Sequence, residues 1–247
     1  MGNARPVAII GEANSYSGPA LALEMARRGY DLVLADASSG LVQEVNALGA
    51  KAVDVTGTEH LLEAKHSQRL VDAALSEFGR LDSATTATGI IVVGRFLKST
   101  VDDFHKAVKG CLEVPYHFLR AVVPVMVERG SGQVLIQTSA SGARVTPGAP
   151  LYSTARAGAN HLVKNVAAEV AHTGVQVNAV GTNFMDFPGF LAANGVTDDE
   201  SRKRVESQVP MKRLGDIDEF ARFCANFIDG SFTFTTGQFV SFSGGWS

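Results

Sequence analysis

The chain has 247 residues, is 45% hydrophobic and carries a formal net charge of −3. That length and apolar content suit one large domain with a sizeable core, and the mild acidity gives no case for nucleic acid or an anionic membrane. No apolar run approaches the roughly 18 residues of a spanning helix.

The first residues lack an apolar signal segment, and Met1-Gly2 is not followed by the Ser or Thr of a myristoylation site, so neither a leader nor a lipid is expected. Cys111 and Cys224 are far apart and lack metal spacing, which makes a reducing cytoplasm the default location.

Apolar runs alternate with helical stretches along the chain. Strands are predicted at 7–10, 31–35, 51–55, 81–86, 133–138, 175–180 and 238–242. Helices are predicted at 19–28, 61–78, 102–128 (bent near Pro115 and Pro124) and 152–172. This alternation implies right-handed βαβ units, and so an α/β fold: a single-domain, Rossmann-like, doubly wound parallel sheet over 1–247 with helices on both faces. The site belongs beyond the carboxyl ends of the strands. Residues 186–204 read equally as a lid or as a surface insertion.

The first turn runs from Gly11 to Gly18. A dinucleotide loop here has three glycines, for the turn, for the pyrophosphate and for helix packing. Only Gly11 and Gly18 are present, and bulky Tyr16 lies between them. A ring there fills the space pyrophosphate needs at the helix N-terminus. Asp36 and Asp54 end the second and third strands, where ribose and adenine contacts would lie, but strand-end aspartates are more often turn and cap residues.

Ser139 follows the fifth strand, Tyr152 opens the next helix, and Arg156 lies one turn further on. Residues i and i+4 share a helix face, so Tyr152 and Arg156 point together. A fixed cation favours a phenolate, which can take a proton from an alcohol while Ser139 holds the same oxygen. Guanidinium stays charged throughout.

On these residues the chain resembles the short-chain dehydrogenase/reductase superfamily over nearly its whole length. Within it, Ser139, Tyr152, Arg156 and the aromatic in the first turn resemble the halohydrin dehalogenase family. That resemblance implies a cofactor-independent carbon–halide lyase. Such an enzyme turns vicinal haloalcohols into epoxides and opens epoxides with azide, cyanide or nitrite, using no nicotinamide and no metal. It places Tyr16, Thr182, Phe184 and Met185 around a halide and implies a homotetramer. Thr182-Asn183 stands where a reductase usually has a Pro-Gly turn. Two positions depart from the pattern: Gly11 stands where the dehalogenases usually have threonine, and Cys111 where the superfamily often has asparagine. Two other readings stay open, an NAD(P)-dependent short-chain reductase with arginine in lysine's place and a catalytically silent binding subunit. Trp246 is expected either near the site or at an interface.

Overall fold

The computed structural model describes residues 5–247; residues 1–4, which carry the expectations about a leader and a lipid, lie outside the described residues. The strands are β1 Val7–Ile10, β2 Asp31–Ala35, β3 Ala52–Val55, β4 Ser83–Ala87, β5 Gly132–Ser139, β6 Val175–Thr182 and β7 Phe239–Phe242. They form one sheet in the order β3-β2-β1-β4-β5-β6-β7, every neighbouring pair parallel. This is the doubly wound α/β arrangement the alternation implies, with its switch point between β1 and β4.

The helices are α1 Gly18–Arg27, α2 Ser39–Ala47, α3 Ala64–Phe78, α4 Val101–Val108, α5 Val114–Arg129, α6 Pro150–Val170, α7 Pro188–Ala193, α8 Asp199–Glu206 and α9 Ile217–Ala225. One face of the sheet packs on α3, α5 and α6 through residues such as Leu70, Phe118 and Val163. The other packs on α1, α2 and α9 through Leu21, Val45 and Phe220. A sheet covered on both faces needs strands that are apolar throughout, and β1 and β5 are buried along their whole length.

Beyond α2 and α9, where the sequence reading predicts no helix, three segments depart from it. Residues 61–78 are not one helix: a short 3-10 turn, Glu59–Leu61, precedes α3, and Glu59, His60 and Leu61 all have positive φ. The long helix expected over 102–128 is broken at Lys109–Glu113 by a π-turn, in which the Val114 N–H bonds the Lys109 carbonyl. Pro115, the next residue, has no N–H to continue regular i→i−4 pairing. Within 186–204 lie α7 and most of α8, which is capped by Asp198 and Ser201.

Candidate functional site

Three strand ends and one helix converge here. Ser139 is the last residue of β5, and in the sheet register it sits opposite Thr182, the last residue of β6. Its hydroxyl donates to the Thr182 carbonyl (3.3 Å) and accepts from the Ser141 N–H (3.2 Å). The turn that follows Ser139 is tied to α6 by Ser153, whose hydroxyl donates to the Ser141 carbonyl (2.7 Å). Ser153 adjoins Tyr152, so this bond fixes the tyrosine's helix against the serine's strand.

Arg156 lies one turn along α6, 4% exposed. Its guanidinium carbon is 5.0 Å from the centre of the Tyr152 ring. The guanidinium donates to Thr88 Oγ1 (2.8 Å) and to the Thr88 carbonyl. Thr88 is itself held, because both its N–H and its hydroxyl donate to the Gln137 carbonyl. The arginine is thus anchored to the end of β4 and β5 by neutral acceptors, while Nε is buried with no hydrogen-bond partner. A buried cation with only neutral partners is poorly compensated, and the face of the Tyr152 ring is the aromatic group beside it.

Tyr16 crosses the crevice. Its backbone is left-handed (φ 50°), an uncommon conformation for a bulky residue. The ring packs edge-on against Phe187 (4.9 Å between centres) and lies 6.0 Å from Phe220. Its hydroxyl is 2.6 Å from Thr182 Oγ1. Burial pushes the phenol well above the ordinary tyrosine range, and the Thr182 hydrogen bond only partly opposes this. Tyr16 is therefore a neutral phenol at physiological pH.

The remaining expected residues are placed differently. The Phe184 N–H is satisfied by Asn183 Oδ1 at 2.9 Å. Its ring sits in a small core with Val205, Val209 and Leu214, edge-on to Phe190 and Trp246. Met185 is 2% exposed and belongs to the α1/α9 core. Trp246 also stacks under Arg144, 4.4 Å from its guanidinium carbon. A cavity of about 230 Å³ is bounded in part by Asn183, Phe184, Met211, Arg213 and Phe242. Ser139, Tyr152 and Arg156 do not line it, so it adjoins the chemistry rather than containing it. Gln137 went unnoticed in the sequence. It accepts from Ser17 Oγ at 2.5 Å and donates to Thr85 Oγ1 at 3.3 Å, pinning the start of α1 to the sheet. Its place directly after the apolar run Val134–Ile136, in a strand expected to be buried, was the available signal.

Over residues 11–247 the chain matches the family described as Enoyl-(Acyl carrier protein) reductase. It belongs to the short-chain dehydrogenase/reductase superfamily. This short-chain dehydrogenase/reductase is 30% identical to the 3-oxoacyl-(acyl-carrier-protein) reductase of Synechocystis sp., covering 97% of this chain and 96% of the relative. It is 26% identical to the corresponding reductase of Staphylococcus epidermidis, covering 96% and 97%. Among solved structures, levodione reductase superposes with a TM-score of 0.85 at 26% identity, covering 99% of this chain and 98% of that one.

These findings correct the sequence reading of a cofactor-independent carbon–halide lyase, since the similar proteins are named as reductases. The halohydrin-to-epoxide activity falls with that reading, and so does the dehalogenase assignment. The physical reason is that Ser139, Tyr152 and Arg156 define a site for moving a proton at an oxygen. Such a site serves either chemistry, so its residues alone do not choose between them.

The superfamily implies a nicotinamide dinucleotide, and the residues of this short-chain dehydrogenase/reductase do not fit one as they lie. Tyr16 spans from the first turn to Thr182, across the switch-point crevice. Glu12, in the same turn, is 8% exposed. Burial raises its carboxyl above the usual range even though His60 and Ser15 hydrogen-bond it. The Asp36 carboxylate, where a ribose would be held, already accepts from the Gly57 N–H (2.5 Å) and from the Thr58 N–H (3.0 Å) and hydroxyl (2.5 Å). Burial opposes its ionisation, but those donors hold the carboxyl below the usual range. Asp54 likewise accepts from the Ala37 N–H at 2.7 Å. The strand-end aspartates are therefore turn residues here, as their ordinary use suggests. Among the described residues, no helix is long and apolar enough to cross a membrane.

Proposed function

We propose that the chain is a short-chain reductase acting at the oxygen of a small carbonyl substrate, with Ser139 and Tyr152 handling that oxygen. The observation that carries the reading is similarity to reductases along the whole chain, combined with a serine and a tyrosine presented at the carboxyl edge of the parallel sheet.

In this reading the Ser139 hydroxyl turns from the Thr182 carbonyl to the substrate oxygen, and Tyr152 gives that oxygen its proton. The hydride for the carbonyl carbon would come from a reduced nicotinamide, which the protein would hold only with Tyr16 moved off Thr182. The Arg156 cation favours the phenolate left behind. Thr88 keeps the guanidinium from swinging away, so its charge is preorganised. The relatives' names point to 3-oxoacyl groups on acyl carrier protein and to levodione as the substrates to try first. Self-association belongs to the same reading, because α4 and α5 leave Val101, Phe104 and Tyr116 exposed.

The test supplies NADH and NADPH in turn with a panel of these carbonyl compounds and follows nucleotide oxidation. Turnover by the wild type that is lost in Tyr152→Phe and in Ser139→Ala supports the reading. Full turnover in Tyr152→Phe, or none in either the wild type or Tyr16→Ala, overturns it.

A further inference from the structure

Away from the crevice, at the entry to α3, three side chains carry metal-ligating atoms close together. Glu59 lies in the 3-10 turn, Glu63 is the N-cap residue of α3, and His66 is on the first turn of α3. One ligand atom from each lies within 4.8 Å of the other two. The glutamates are exposed, as solvated carboxylates usually are, and by themselves point to nothing. His66 is the informative member. It is only 3% exposed, and its Nδ1 is buried with no hydrogen-bond partner. A buried ring nitrogen left unpaired costs free energy, and this ring lies with a nitrogen within 4.8 Å of oxygens from both carboxylates.

We propose that Glu59, Glu63 and His66 form a binding site for a first-row divalent transition-metal ion such as zinc or cobalt. One imidazole and two carboxylates, with water completing the shell, suit such an ion by donor type. Tetrahedral ligand atoms at about 2.0–2.2 Å from the metal lie about 3.5 Å apart, so the observed spacing needs the flexible glutamates to close by about an ångström. The nearest competitor is Lys65, whose Nζ is 2.8 Å from Glu63 Oε2 with both side chains more than half exposed. An exposed pair of this kind is weak enough for a dication to displace. Lys109 adds positive charge near Glu63, which sets a limit on affinity.

Occupancy has a structural consequence. Glu59, His60 and Leu61 form a left-handed run (φ 46°, 55° and 58°), and the His60 imidazole reaches Glu12 in the first turn, Nδ1 to Oε1 3.1 Å. An ion held by Glu59 on one side of His60 and by Glu63 on the other pins the loop that borders the crevice.

The experiment titrates tag-free full-length protein with Co2+ and follows the visible d–d absorption, then back-titrates with Zn2+. A saturable band displaced by Zn2+, and weakened at least ~10-fold in E59Q/E63Q, supports the site. Both glutamates are exposed, so that variant folds and keeps the inference testable if His66→Gln does not. No saturable band in the wild type, or unchanged affinity in E59Q/E63Q, overturns it.

Discussion

The hydroxyl of Tyr16 lies 2.6 Å from Oγ1 of Thr182, and the carbonyl of the same Thr182 accepts the hydroxyl of Ser139. One residue at the end of β6 therefore joins the first turn to the site. If a nicotinamide is to reach Tyr152, Tyr16 must leave Thr182, and the closed arrangement subtracts from nucleotide affinity in proportion to its population. We expect Tyr16→Ala to bind NADH or NADPH at least ~10-fold more tightly than the wild type. Tyr16→Phe should fall between them, because it loses the hydrogen bond but keeps the ring against Phe187. Nucleotide fluorescence on binding measures all three, and equal affinities would show that Tyr16 is no obstacle.

Arg156 can be tested without replacing it. A Cβ on Gly89 would lie 1.9 Å from Arg156 Nη2, and φ there is +129°, a conformation that L side chains rarely adopt. Gly89→Ala should push the guanidinium off Thr88 and lower kcat about 10-fold or more. Arg156→Lys keeps the charge but cannot make both Thr88 bonds, so we expect kcat to fall about 10-fold there as well. An unchanged kcat in both variants would remove Arg156 from the reaction.

The first turn depends on Gly18 for space. A Cβ there would lie 1.6 Å from the Glu12 carbonyl oxygen. Gly18→Ala should destabilise the fold by about 3 kcal/mol, readable as a lowered denaturant midpoint with the slope unchanged. A near-normal midpoint would mean that the turn has room this structure does not show.

Asp82, just before β4, ties that strand's entry to the neighbouring β1 and to the end of α5. Its carboxylate accepts from the Val7 N–H (2.8 Å), from Arg80 and from Arg129. Burial opposes its ionisation, but those donors hold its carboxyl below the usual range. A depressed folded pKa gives stability that is present above the unfolded value, near 4, and lost as pH falls through the folded one. Asp82→Asn should therefore cost about 1–3 kcal/mol at neutral pH, and the difference from the wild type should shrink below about pH 4. Thermal midpoints across that range check both halves.

Much of the fold was legible because buried strands are written as short apolar runs, as in Val7–Ile10 and Asp31–Ala35. Two of the helices absent from the sequence reading carry weak patterns, whereas α9, which buries Phe220, Ala221, Cys224 and Ala225 behind an Asp216 cap, was readable. In α8 only Ser201 and Val205 are buried, and α2 buries only Leu41 and Val45, four residues apart. The π-turn has no residue code of its own and shows only as Pro115 following it. At the site, Tyr152 and Arg156 were readable by spacing because a helix face repeats every four residues. Gln137 and Thr88 were not, because their roles depend on which strands become neighbours. The reaction was misread for a related reason: proton transfer at oxygen is visible in Ser139 and Tyr152, whereas what that oxygen belongs to is not.

The π-turn at Lys109–Glu113 works as a frame shift in the helical reading. One surplus residue rotates everything before it by about 100° relative to everything after it. The outward faces of α4 and α5, bearing Phe104 and Tyr116, are therefore in different phase. Deleting a single residue there would remove the surplus and turn Phe104 to a new bearing, with Pro115 still leaving one carbonyl of the preceding turn unpaired. At this point in the chain a deletion is a larger change than any substitution.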